Sequence, residues 1–81
     1  MISVCAIRVE SRLIELRARS EEDGRWHWSI EIAGGKLLCD GSAINKISAQ
    51  LTLQRAFEQR LSRAGLGRFT PVVYSWKDLV S

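Results

Sequence analysis

From Ile2 to Arg19 apolar and polar positions alternate, and the parity changes partway. Cys5, Ile7 and Val9 share one side, opposite Arg8, Glu10 and Arg12. Ile14, Leu16 and Ala18 then occupy the apolar side, opposite Glu15, Arg17 and Arg19. A period of two places alternate residues on one face of a strand, so a change of parity near Leu13 implies a bulge or a turn. No Gly, Pro or Asn stands at Glu10–Leu13, which favours one long bent strand over two short ones. Ser20 to Gly24 is a polar turn. Trp26, Trp28, Ile30 and Ile32 then alternate with Arg25, His27, Ser29 and Glu31, the clearest strand pattern in the chain. Gly34-Gly35 supplies the backbone freedom of a hairpin. A further strand follows at Lys36–Asp40, with Leu37 and Cys39 on one face and Leu38 on the other, ended by Gly41-Ser42.

The period then lengthens. Ala43 to Ala64 lacks Gly and Pro and is rich in helix formers. Ser42 or Asn45 serves as N-cap. Arg60 and Arg63 occupy the last turn, and Gly65 with Leu66 fits a Schellman ending. On a helical wheel Ala49, Leu53, Ala56, Phe57, Leu61 and Ala64 form the stripe that packs on the sheet. Ile44, Ile47 and Leu51 fall to one side of it, where Ile44 and Ile47 plug the sheet edge or meet the C-terminal segment, or else the three contact a second chain. Phe69–Trp76 reads as a last strand with Val72, Tyr74 and Trp76 on one face. A short helix over Ser75–Ser81 is the alternative, with Ser75 and Asp78 as a capping box. The expected architecture is α+β: a three- to four-stranded antiparallel sheet, one long helix on one face, and a C-terminal strand.

Length agrees with one domain over all 81 residues. Composition is that of a folded chain, 46% hydrophobic and 26% charged. No apolar run is long enough for a membrane span, and Met1–Ile7 lacks the features of a signal peptide. Two lone cysteines, Cys5 and Cys39, do not form a disulfide framework and fit a reducing cytoplasm as buried strand residues. The net charge is +3 and nine of the twelve cations are Arg. Arg suits bidentate pairing with carboxylate or phosphate.

Candidate chemistry is sparse. His27 is the only His and falls on the polar side of its strand, away from the core-facing cysteines, so a Cys5–His27–Cys39 metal site should not assemble. Neither phosphate loop nor nucleophile elbow is present. The expectation is a non-enzymatic protein with no cofactor, metal, small-molecule substrate or membrane partner. Its partner is a second copy or another protein, with Ile44, Ile47 and Leu51 as the interface. The alternative is a nucleic-acid-binding module using Arg55, Arg60, Arg63 and Arg68 together with the sheet arginines Arg8, Arg12, Arg17, Arg19 and Arg25. Glu10, Glu15 and Glu31 interleave with those arginines and oppose phosphate binding.

The run of Trp26, Trp28 and Ile30, the sequence from Gly34-Gly35 through Leu37-Leu38 to Gly41, and the long Ala/Gln helix resemble small single-domain proteins of phages, integron cassettes and other mobile elements. The resemblance covers about half the chain. It implies a protein that acts by direct binding, some such proteins being inhibitors of host defence complexes. The net charge of +3 departs from the acidic, nucleic-acid-mimicking members.

Overall fold

The parity change near Leu13 is a tight turn. A computed structural model describes residues 1–65 and 73–79, and in it Ile2–Val9 (β1) and Arg12–Ser20 (β2) are separate antiparallel strands. Val9 pairs with Arg12, leaving Glu10 and Ser11 as the loop. The single bent strand is thus replaced by a hairpin. Glu10 has φ +57°, in the left-handed region where Gly is customary. A Glu there gives no sequence signal for a turn. The same register puts Arg12 on the side of Val9, so it leaves the polar face expected for it.

Trp26–Ile32 (β3) pairs with β2, aligning Ile14 with Ile32, Leu16 with Ile30 and Ala18 with Trp28. Gly34 and Gly35 adopt positive φ in the connection to Lys36–Ala43 (β4). The β3–β4 register shifts between Ile30 and Glu31, since Cys39 pairs with Ile30 and Leu37 with Glu31. The extra residue is Leu38. This bulge overturns the expectation that Leu37 and Cys39 share a face: Leu38 and Cys39 pack on the core, whereas Leu37 stays 53% exposed. Gly41-Ser42 does not end the strand either. Gly41 sits within β4 beneath the Trp28 ring, where a Cβ would stand 2.5 Å from Trp28 Cζ2.

Because β4 continues to Ala43, the helix begins later than expected, at Lys46–Arg63 (α1). Asn45 is the N-cap, its Oδ1 accepting from the Ser48 amide at 2.8 Å. Gly65, at φ +76°, closes the other end by donating to the Ser62 carbonyl. Ala49, Leu53 and Phe57 are buried, while Ala56 and Leu61 pack at the margin. Ala64 is exposed.

The last strand, Lys77–Leu79 (β5), pairs with Ile2–Val4. This replaces the short helix considered for Ser75–Ser81. The expected strand at Phe69–Trp76 lies partly outside the described residues, and Val73–Trp76 is not a strand. The outcome is a five-stranded, wholly antiparallel sheet in the order β4-β3-β2-β1-β5, where three or four strands were expected, with α1 across one face. The core is Cys5, Ile14, Leu16, Ala18 and Ile30 from the sheet against Ala49, Leu53 and Phe57 from the helix. No helix is long and apolar enough to cross a membrane among the described residues.

Candidate interaction surfaces

The core stripe of α1 is narrow, and its consequence is an apolar outer side. At 100° per residue Ile47 and Leu51 lie about 120° and about 160° around the helix from buried Leu53. Ile44, just before the N-cap, is 74% exposed, Ile47 68% and Leu51 49%. Neighbouring polar residues hold this end of the helix against the sheet. Lys46 Nζ donates to Asp78 Oδ2 on β5 at 2.7 Å. Gln50 Nε2 donates to the Oγ of fully buried Ser3 at 3.1 Å. The Asp78 carboxyl is held below its ordinary range, first by the Lys46 hydrogen bond and then by Ser3.

Further along the same flank, Tyr74 donates its hydroxyl to Glu58 Oε1 at 3.2 Å and sets its ring edge-on to Phe57 with centroids 6.5 Å apart. Burial first, and the adjacent Glu58 carboxylate second, push the phenol well above its usual range. The C-terminal segment is thereby pinned to the helix at Tyr74 and Asp78. The Ser75 backbone lies against the Cys5 thiol, which burial pushes up. Neither pin has a periodicity or motif that would reveal it in the sequence.

The helix arginines separate. Arg60 Nη2 donates to the Leu38 carbonyl at 2.9 Å, tying the end of α1 to the β4 bulge. Arg55 projects about 140° around the helix from Arg60, and Arg63 is exposed in the last turn. Arg68 lies outside the described residues.

On the opposite face of the sheet no described element covers β2 and β3. Direct cross-strand partners share a face, so the register places Arg19 beside His27, Arg17 beside Ser29 and Glu15 beside Glu31. Arg17 binds Glu15 at 2.7 Å and approaches Glu31 at 3.7 Å, an arrangement that raises its already high pKa through the Glu15 hydrogen bond. Ser29 donates to Glu31 at 3.1 Å. His27 Nε2 lies 3.0 Å from Asp40 Oδ2, a diagonal contact between β3 and β4 that only the fold creates. These groups, with Leu37, line a shallow open depression. Arg25 lies outside β3, in the preceding turn. Among the described residues no cluster of three His, Cys, Asp or Glu is placed to hold a metal ion.

No family model matches this chain, and no curated protein or solved structure matches it either.

Proposed function

We propose that this protein is a non-enzymatic interaction module, associated with a mobile element or phage, that pairs with a second copy through the outer side of α1. The observation that carries the reading is the exposure of Ile44, Ile47 and Leu51, at 74%, 68% and 49%. They form one patch at the start of the helix, and contiguous apolar surface on a small domain marks an interaction site. The Lys46–Asp78 and Gln50–Ser3 hydrogen bonds support it by fixing the patch before a partner arrives. In a two-fold pair each patch meets its equivalent. Each side chain contributes about 1.5–3 kcal/mol when fully buried, before the cost of association.

The polar groups of the open sheet face are engaged with one another, which favours binding over catalysis. Nucleic-acid binding draws less support, because Arg17 is neutralised by its own carboxylates and Arg60 is committed to the Leu38 carbonyl. Sedimentation of the wild type, Ile47→Glu and Leu51→Glu tests the proposal. The expected result is a wild-type assembly that both substitutions break, with unchanged circular dichroism. A wild-type monomer at high micromolar concentration, or variants that unfold instead of dissociating, would overturn it.

A further inference from the structure

Two hairpin turns and the end of the helix meet at one end of the sheet. The β1–β2 turn and the β3–β4 turn adjoin there, the Ala33 amide donating to the Leu13 carbonyl at 2.9 Å. Arg60 brings the last turn of α1 to the same place through the Leu38 carbonyl, 2.9 Å away. Register decides which charges stand on the helix side. Arg12 is opposite Val9 and Lys36 is opposite Ile32, and both partners pack on the core. Direct cross-strand partners share a face, so Arg12 and Lys36 belong to the face that carries the helix. Arg63 lies about 60° around α1 from Arg60, on the same side.

Arg12, Lys36, Arg60 and Arg63 are all exposed. None of them is in an ion pair among the described residues. The two turns and the last helical turn carry a single carboxylate, Glu10. Nearby acids are engaged elsewhere, Glu58 by Tyr74 and Glu31, behind the sheet, by Arg17 and Ser29. Arg60 keeps its charge, because the Leu38 carbonyl takes only one of its five N–H donors. The negative end of the helix accounts for Arg60 and Arg63. It does not account for Arg12 and Lys36, which come from separate strands. The acidic turn of Glu21, Glu22 and Asp23 stands beyond the far end of β2, about 30 Å along the strand.

We infer that Arg12, Lys36, Arg60 and Arg63 form a binding site for the phosphate backbone of a nucleic-acid duplex, engaged without regard to base sequence. Three of the four are Arg, whose planar fork matches phosphate. The tryptophans and Tyr74 pack against the core, so they offer no platform on which unpaired bases stack. An anionic membrane is the poorer match, because surface binding takes an apolar side beside the cations. Ile44 and Ile47 are at the other end of the helix, Ile47 about 20 Å from Arg60 at 1.5 Å per residue. The site is therefore independent of the helix patch, and a paired chain presents two of them. It is also separate from the sheet face, where Arg17 and Arg19 are bridged to glutamates.

Fluorescence anisotropy with a short labelled DNA duplex of mixed sequence tests the site. Four phosphate contacts at about 0.9 each give a slope of log affinity against log salt of about −3.6. Affinity then falls on the order of a hundredfold from about 50 to about 200 mM salt. Arg12→Gln/Lys36→Gln is expected to halve the slope, to about −1.8. Arg17→Gln/Arg19→Gln removes the same net charge from the sheet face and is expected to keep the wild-type slope. Lys36→Gln/Arg63→Gln repeats the test should circular dichroism show the Arg12 variant unfolded. Absence of binding at low salt, a slope unchanged by the Arg12 and Lys36 substitutions, or an equal loss in the sheet-face variant would overturn the inference. Tighter binding to an unpaired strand of the same length, or to phosphatidylserine vesicles, would overturn it in favour of that partner.

Discussion

Gly41→Ala is a one-atom test of how this sheet is packed. Gly41 does not have the positive φ seen at Gly24, Gly34, Gly35 and Gly65, so its backbone accepts alanine and the perturbation is steric. The added Cβ would stand 2.5 Å from Trp28 Cζ2 and 2.7 Å from Cε2. Ordinary carbon contacts begin near 3.5 Å, so the ring or the strand must give by about 1 Å. The atoms met belong to a rigid bicyclic ring whose β2 partner, Ala18, is fully buried. Overpacking of this kind costs about 1–3 kcal/mol. The reduced freedom of the unfolded chain with alanine offsets about 0.5–1 kcal/mol of that. A net loss of about 1–2 kcal/mol lowers Tm by roughly 5–15 °C in a domain of this size. Urea and thermal denaturation at one fixed protein concentration measure it, since assembly would otherwise shift the midpoint. The control is Trp28→Phe, which shortens the ring and removes an indole N–H that is buried without a partner among the described residues. In the Trp28→Phe background Gly41→Ala should cost almost nothing, giving a coupling of about 1–3 kcal/mol. An equal loss in both backgrounds would refute the steric account.

The remaining predictions concern the C-terminal latch and the first hairpin. Asp78 titrates below its unfolded value of about 3.9, so its contribution is complete above about pH 4 and is lost as pH falls through the folded pKa. The protection of the β5 amides relative to their intrinsic exchange rates should therefore fall on acidification below about pH 4, and Asp78→Asn should show the lower protection already at neutral pH. Glu10→Gly should stabilise the protein by about 0.5–1 kcal/mol, because relief of the left-handed strain of about 1–2 kcal/mol outweighs the backbone entropy of glycine. Unchanged or lower stability in urea titration would show that the β1–β2 turn is not strained.

The sequence carried the fold wherever side-chain period reports burial. The Trp26–Ile32 alternation is β3, and the Ala49–Leu53–Phe57 spacing is the core stripe of α1. It failed where structure depends on single backbone positions or on partners remote in the chain. Glu10 turns without a turn residue. Leu38 is inserted into β4 by a bulge, and the two adjacent leucines give no hint of which one faces inward. β5 has three residues, all exposed, too few for a period to register. Its position depends on Lys46, 32 positions away from Asp78. The exposure of Ile44, Ile47 and Leu51 was legible, since their angle from the core stripe follows from helix geometry. The charge pairing on the open face was legible only as a mixture, because which carboxylates meet Arg17 depends on the register between β2 and β3.

The aromatic residues explain why the helix patch is surplus to the fold. A helix is about 10–12 Å across, whereas five strands about 4.8 Å apart make a sheet roughly twice as wide. One helix, set over β2, β3 and β4, therefore leaves part of the inner face for other side chains to cover. From β3, Trp26 and Trp28 pack beside the core, Trp28 lying over Gly41 because no side chain stands there. On the β1 side Tyr74 and Trp76 do the same, Tyr74 held by Glu58 and Phe57. With the flanks filled by these rings, α1 needs only its narrow stripe to complete the core. Ile44, Ile47 and Leu51 then have no partner within the described residues of the fold. Their substitution should consequently register in assembly and not in folding, whereas any change at Gly41, Trp28 or Tyr74 should register in folding first.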